Sequence, residues 1–270
     1  MIDIHSHLLP GVDDGSRSIE ASVEVLTRFA SDGVDVLVCT PHLLASEAAS
    51  APVDSYREIL ESLRAAAPAV PRLELGWEIM LDIPGTDLSA PGLALAGSTA
   101  VLVEFTHAGV PPGATEELTR LRASGVVPVL AHPERYWGCT PESVAAWRRA
   151  GAVMQVDVVG LLAGGRMGAL ATELLQHGLV DCFASDNHAD GQALAVARRW
   201  LEDLGAGAHA HLLTTVNPGR LLQNEPPLPV PPLVSPAPGV GRSMFRHLRA
   251  LVRKRRAPAR DAPPVEPGSR

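Results

Sequence analysis

Short apolar runs recur along the chain, and most of them end in a residue that can bind a metal ion. IDIHSH ends in His5 and His7 and runs on to Asp14, VDVLVCTPH ends in His42, and LELGWE ends in Glu78. AVLVEF ends in Glu104, VPVLAH in His132, and DCFASDNH in Asp186 and His188. Four to seven mostly apolar residues in succession read as a buried strand. Seven such strands are predicted, near residues 2 to 5, 34 to 40, 72 to 77, 100 to 105, 127 to 131, 152 to 157 and 180 to 185. Helical spacing fills the intervals. Residues 17 to 32 place Ile19, Val23, Leu26 and Ala30 on one face, with Ser16 as the start signal and Glu20 near the first turn. Similar patterns fall near 54 to 66, 114 to 124, 141 to 150, 168 to 178 and 189 to 204, and NPGRLL (217 to 222) reads as a last short helix. Strands alternating with helices predict parallel β/α units. In a barrel of such units the C-terminal strand ends share one face. The strand-end carboxylates and imidazoles can therefore converge on one polynuclear metal centre.

The pattern divides the chain. Residues 1 to 224 read as one α/β domain, interrupted by a Pro- and Gly-rich loop at 84 to 98. Seven prolines between 226 and 238 predict an extended linker over 225 to 241. Beyond it, 242 to 270 is a basic tail in which Met244, Leu248, Leu251 and Val252 share one helical face. It reads either as an amphipathic segment suited to an anionic membrane surface or an acidic partner, or as a solvated, disordered tail.

Composition narrows the class. With 270 residues, 46% of them hydrophobic, the chain can bury one large core. Residues 1 to 224 hold 14 arginines against 27 aspartates and glutamates, whereas 225 to 270 hold 9 basic and 3 acidic residues. An acidic domain disfavours nucleic acid as a substrate, because phosphate-backbone binding depends on Lys and Arg. Three scattered cysteines, Cys39, Cys139 and Cys182, argue against a disulfide framework. No N-terminal signal and no apolar stretch approaching about 18 residues is present, so the cytoplasm is the expected compartment.

Each candidate ligand has a plainer reading. A lone HxH is weak, but Asp186-Asn187-His188 repeats its two-residue spacing at the far end of the domain, and alternate strand residues point the same way. Glu104 inside an apolar run must be paired or coordinated, and the same holds for Glu78. Asp157 reads equally as a strand-end cap or as a partner of a ligand, and is left outside the ligand set. The nine candidates offer only nitrogen and oxygen, which suits Mn, Fe or Zn better than thiolate-preferring ions.

The order IDIHSH, VDDG, TPH, GWEI, VEF, AHPERY and ASDNH resembles the PHP (polymerase and histidinol phosphatase) superfamily. More closely it resembles the bacterial manganese-dependent protein-tyrosine phosphatases of the CpsB/CapC type, over residues 1 to about 222. The resemblance implies a distorted β/α barrel of about seven parallel strands and up to three Mn ions. His5, His7, Glu78 and Asp186 would hold one ion, with Glu78 bridging to a second held by Glu104 and His132. Asp14, His42 and His188 would hold the third. Arg135 in HPERY matches the family's phosphate-binding arginine, whose guanidinium fork suits phosphate oxygens. A second arginine is usual shortly after the SDxH motif, but Gln192 stands there, with Arg166, Arg198 and Arg199 as possible substitutes. Tyr136 and Trp137 are expected to pack under the loop after Arg135 rather than flank a substrate ring.

The implied activity is hydrolysis of phosphotyrosine in a protein, opposing a bacterial tyrosine autokinase in capsule or exopolysaccharide regulation, with peripheral membrane association and a homo-oligomer as further possibilities. A histidinol-phosphatase-like enzyme for a small metabolite and a non-catalytic phosphate-binding PHP module are the alternatives. A cysteine-dependent phosphatase is excluded. Such an enzyme needs an arginine six residues after its cysteine, and here those positions are Ala45, Ala145 and His188.

Overall fold

The computed structural model describes residues 1 to 106 and 109 to 234. All seven expected strands are present, as β1 (Ile2–Asp3), β2 (Val36–Cys39), β4 (Arg72–Leu75), β6 (Ala100–Glu104), β7 (Val127–Ala131), β8 (Val153–Asp157) and β9 (Cys182–Ala184). Two of the runs are split. Pro41, which has no N–H to donate, separates β2 from a short β3 (His42–Leu44). Gly76 and Trp77 separate β4 from β5 (Glu78–Met80). A Cβ on Gly76 would meet Leu95 Cδ2 at 2.7 Å and Leu95 Cα at 3.2 Å, so glycine lets the chain pass close to Leu95 at the break.

The split sorts the strands into two parallel sheets, ordered β1-β2-β4 and β3-β5-β6-β7-β8-β9. At the C-terminal ends the circuit is joined. Asp186 N donates to His5 O (3.0 Å) and His7 N to Asn187 O (2.8 Å), linking the chain after β9 to the chain after β1. Gly76 N donates to Cys39 O (2.9 Å) and Glu78 N to Pro41 O (3.1 Å), carrying the pairing across both breaks. The result is the distorted β/α barrel, with the strand ends at one mouth.

Alternation along the strands decides what fills the barrel and what reaches the mouth. Ala100 and Leu102 of β6, Val129 and Ala131 of β7, Val153 of β8, and Cys182 and Ala184 of β9 form one buried cluster with Ile4, Val38 and Leu95. The same faces continue to Glu104, Gln155, Asp157 and Asp186. Alternate residues such as Val101, Val103, Leu130, Met154, Val156 and Phe183 pack in the other cluster with the helices.

The helices are α1 (Ile19–Asp32), α2 (Val53–Ala66), α3 (Ala114–Ala123), α4 (Pro141–Arg149), α5 (Val158–Leu162), α6 (Gly165–Gln176), α7 (Leu194–Asp203), α8 (Gly207–His211) and α9 (Asn217–Leu222). The cap of α1 is Ser18 rather than Ser16, since Ser18 Oγ accepts from Ala21 N at 3.2 Å. Ser16 is buried and accepts instead from Ser22 Oγ at 2.7 Å. At its other end Gly33, in the left-handed region at φ 83°, closes the helix onto Phe29 and Ala30 carbonyls. The short α5 and α8 were not expected, because five residues are too few to show a helical period. The start of α7 at Leu194 leaves 189 to 193 as loop, where a helix was expected.

Residues 225 to 234 are extended, as their prolines require, but they lie against the barrel. Val230 and Leu233 are buried, Leu233 N donates to Leu175 O (2.9 Å), and Leu228 N donates to Asn217 Oδ1 (2.8 Å). Asn217 Nδ2 donates in turn to Leu228 O (3.0 Å) and Asp181 O (2.8 Å). The rest of the expected linker and the basic, disordered or amphipathic tail lie outside the described residues. Among the described residues no helix is long and apolar enough to cross a membrane.

Asn217→Ala would remove three hydrogen bonds to backbone groups, the one to Asp181 O fully buried, and should destabilise the domain by about 2 kcal/mol. Urea unfolding should show a lower midpoint, and limited proteolysis should release the segment after residue 225 faster. Identical unfolding and proteolysis curves would refute the strap.

Candidate metal centre

His5 and His7 follow β1 and are both fully buried. Their Nε2 atoms lie 3.3 Å apart. His5 Nε2 is 3.3 Å from Glu78 Oε1 and from Asp186 Oδ1, and His7 Nε2 is 3.3 Å from Glu78 Oε2 and 3.2 Å from Asp186 Oδ1. Two imidazoles and two carboxylates thus face one point. Their orientation is fixed from behind: His7 Nδ1 bonds Asp13 Oδ2 (2.7 Å) and His5 Nδ1 bonds Gln155 Oε1 (3.0 Å), with Gln155 Nε2 donating to Asp157 Oδ1 (2.7 Å). A proton on each Nδ1 leaves Nε2 as the ligand nitrogen. The glycine of DDG is required for this fit, because a Cβ on Gly15 would lie 2.1 Å from His7 O.

The strand register brings in the next ligands. His42 of β3 pairs with Glu78 of β5, and Met80 pairs with Glu104 of β6. His42 Nδ1 lies 3.1 Å from Glu78 Oε2 and 3.8 Å from Glu104 Oε1. From β7, His132 Nε2 approaches Glu78 Oε1 at 2.8 Å and Glu104 Oε2 at 3.7 Å. At the outer edge, Asp14 Oδ1 lies 3.3 Å from His42 Nε2 and 3.5 Å from His188 Nε2. Three overlapping groups have donor atoms mutually within 4.8 Å: His5, His7 and Asp186; His42, Glu78 and Glu104; and His7, Asp14, His42 and His188. All nine sequence candidates meet at one mouth. His42 faces both Asp14 and the Glu78–Glu104 pair, a double role that the sequence reading did not give it. His132 (φ 36°) and Asp186 (φ 48°) hold left-handed backbone conformations, a strain typical of functional sites.

The electrostatics of the cluster favour a cation. Burial, reinforced by the neighbouring Glu78 charge, pushes the Glu104 carboxyl up to about 7. Both of its oxygens are buried without a hydrogen-bond partner among the described residues. Burial alone would raise Glu78, yet His5, His132 and His42 hold it well below the usual carboxylate range. Conversely, burial lowers His5, but Glu78 and Asp186 outweigh it and push the imidazole up to about 10. Behind them Glu134 is pushed up to about 8 by burial and by Asp157. A buried carboxylate without a partner is costly, and divalent ions bound by these N and O donors relieve that cost.

Arg135 lies beside the cluster, with its guanidinium on the carboxylates of Asp157 and Asp186. It is therefore part of the centre rather than a surface ion pair. Gln192 lies in the loop after His188. Its Nε2 donates to Asp190 Oδ2 (2.9 Å), and its carbonyl accepts from Asn187 Nδ2 (2.7 Å) and Arg28 of α1 (3.5 Å). It thus ties the loop after His188 to itself and to α1. Of the other arginines, Arg198 pairs with Glu202 along α7 (2.8 Å), whereas Arg166 donates to Arg135 O (2.9 Å). Tyr136 is buried as expected, but Trp137 stands in solvent. The cysteines are all buried, and burial pushes the Cys39 thiol up to about 12 and Cys139 to about 11.

Sequence reasoning missed Asp13, Gln155 and Glu134 and left Asp157 outside. The signal for Gln155 and Asp157 was present, since both lie on the β8 face that carries Val153 inward. Asp13 directly precedes the candidate ligand Asp14 and gave no separate sign.

The comparisons agree with this geometry. A family model described as "Capsular polysaccharide synthesis, CpsB/CapC" matches residues 1–223. A putative tyrosine-protein phosphatase CapC from Staphylococcus aureus is 28% identical over 199 residues, covering 70% of this chain and 77% of the relative. Tyrosine-protein phosphatase YwqE from Bacillus subtilis is 28% identical over 204 residues, with the same coverage. A solved structure from work on YwqE of B. subtilis and CpsB of Streptococcus pneumoniae, described as unique metal-dependent tyrosine phosphatases, superposes with a TM-score of 0.72 at 26% identity. It covers 87% of this chain and 100% of that one. With the motifs, the barrel and nearly the whole described length in agreement, the chain belongs to the CpsB/CapC family.

Proposed function

We propose that the protein is a metal-dependent tyrosine-protein phosphatase that removes phosphate from a bacterial protein, a tyrosine autokinase of capsule or exopolysaccharide synthesis being the expected substrate. The observation that carries this reading is the convergence of nine nitrogen and oxygen ligands beside a guanidinium, with every cysteine buried away from them. His5, His7, Glu78 and Asp186 would hold one ion, Glu78, Glu104 and His132 a second, and Asp14, His42 and His188 a third. Mn is the first choice on the family's account, and Fe or Zn suits the same donors. Bound divalent ions supply Lewis-acid activation of water and neutralise charge on phosphoryl oxygens.

The chain's own residues do the rest. Arg135, held by Asp157 and Asp186, presents a fixed fork to phosphate. Asp13 and Gln155 keep the imidazoles of His7 and His5 in one tautomer. A tyrosinate leaving group, with a pKa of about 10, departs more readily than an alkoxide, so little proton donation is needed. Gln192, with one amide hydrogen on Asp190 and a second left to donate, would offer phosphate a neutral hydrogen bond in place of the usual guanidinium. The basic tail would hold the enzyme at an anionic membrane surface, where the acidic domain itself would be repelled.

With added Mn the protein should hydrolyse phosphotyrosine peptides faster than histidinol phosphate. Chelation should abolish this, and thiol alkylation should not. Full turnover by metal-free protein, or preference for the small metabolite, would overturn the proposal.

Glu78→Ala should lose both activity and metal, because four imidazoles depend on that carboxylate. Arg135→Ala should keep its metal while kcat/KM falls about tenfold or more, the loss expected for a charged hydrogen bond. Metal analysis beside steady-state kinetics separates the two, and loss of metal from the Arg135 variant would refute its role.

Because Glu78 and Asp186 hold His5 protonated up to about pH 10 in the metal-free chain, metal must displace protons on binding. Affinity should therefore rise with pH and fall as pH drops. Calorimetric titration in buffers of different ionisation enthalpy should register proton release, and pH-independent affinity would contradict it.

A further inference from the structure

One large aromatic ring stands in water beside the candidate centre. Trp137 is 67% exposed, whereas Trp77, Trp147 and Trp200 are buried. Its backbone is nevertheless pinned. Val110 N donates to Trp137 O (3.1 Å), and the guanidinium of Arg166 donates to Tyr136 O (3.0 Å) and Arg135 O (2.9 Å). Beneath it, Tyr136 Oη donates to Ala131 O (2.7 Å). The guanidinium carbon of Arg166 also lies 4.9 Å from the Trp137 ring centroid, within cation–π range. The backbone that carries the indole is thus anchored, and Arg166 lies against the ring itself.

Trp137 and Arg166 line a cavity of about 650 Å³ with Arg135, Val159, Gly160 and Met167. Arg135 is the shared wall, because its guanidinium pairs with the candidate ligand Asp186. The cavity therefore leads from the cation beside the metal centre to a fixed aromatic face. Phosphotyrosine has matching chemistry: a dianionic phosphate at one end, and a rigid ring that extends beyond it before the peptide begins. A seryl ester ends at its β-carbon and brings no ring to the wall.

We propose that this cavity receives the aryl group of the phosphate ester, with Trp137 as its aromatic wall and Arg166 as the residue that positions the indole. The proposal rests on the phosphatase reading of the centre and adds the residues that favour a tyrosyl over an alkyl substrate. Arg166 acts through Trp137, since its guanidinium is already engaged with two carbonyls and the indole.

The test uses metal-loaded protein and two non-hydrolysable probes, phenylphosphonate and methylphosphonate. As the other three tryptophans are buried, acrylamide quenching of tryptophan fluorescence reports chiefly on Trp137. Phenylphosphonate should protect it from quenching and methylphosphonate should not. In Trp137→Ala the ratio of phenyl- to methylphosphonate affinity should fall about three- to tenfold, in line with the loss of one aromatic contact. Arg166→Ala should lower the same ratio alone but add less than twofold in the Trp137→Ala background. Equal protection by both probes, an unchanged ratio, or additive losses would overturn the proposal. So would protection of Trp137 without ligand in a self-associated species seen by sedimentation. If the wild type hydrolyses no phosphomonoester, the function proposed above fails, and the fluorescence result still decides whether the cavity takes an aryl phosphonate.

Discussion

Glu78 is the constraint around which the mouth of the barrel is arranged. Its carboxylate is almost fully buried, yet its two oxygens lie 2.8 to 3.3 Å from the imidazoles of His132, His5, His42 and His7. Four rings from three segments reach one carboxylate only if the ends of β1 and β7 lie level with the starts of β3 and β5. The two breaks in the sheet serve that end. Without the turns at Pro41 and Gly76, β2 and β4 would run on in the three-stranded sheet. The pairing offset of β2 and β4 is kept in β3 and β5, so His42 still faces Glu78, while β5 now also pairs with β6 and brings Glu104 alongside.

The periodicity that fills the barrel also supplies its chemistry. On β6, β8 and β9 the face that buries Leu102, Val153 and Ala184 ends in Glu104, Asp157 and Asp186. Burial of the apolar part pays for fixing the polar part, because a strand locked by its inward residues cannot swing its terminal carboxylate into water. Arg135 completes the balance by neutralising Asp157 and Asp186 from the side. Its backbone carbonyl is in turn held by Arg166.

Much of this was legible in the chain. Each apolar run marked a strand, and the residue at its end marked the mouth, so all nine candidate ligands could be named before any coordinate. What stayed hidden depended on contacts distant in sequence. Ser18 caps α1 because Ser16 is drawn inside by Ser22, and no local rule ranks the two serines. Trp137 is apolar and follows a strand, which favours burial, but Tyr136 already fills the space beneath and leaves the indole outside. The proline-rich strap could not be read as packed, since its partners are Asn217 and Leu175, on α9 and α6.

A cluster of this kind makes stability and metal binding one property. Glu104 has no hydrogen bond among the described residues to offset its burial, and His132 and Asp186 hold left-handed conformations that cost about 1 to 3 kcal/mol each. The inner core and the helices must carry that expense when no ion is bound. An ion that binds only the folded chain returns RT ln(1 + [M]/Kd), about 2.7 kcal/mol at a hundred times Kd. That gain is of the same order as the strain at a single ligand. Ion binding and the apolar core under the helices therefore both enter the stability of the mouth. A cation bound there would replace the proton that Glu78 and Asp186 hold on His5, so metal occupancy, pH and stability are coupled.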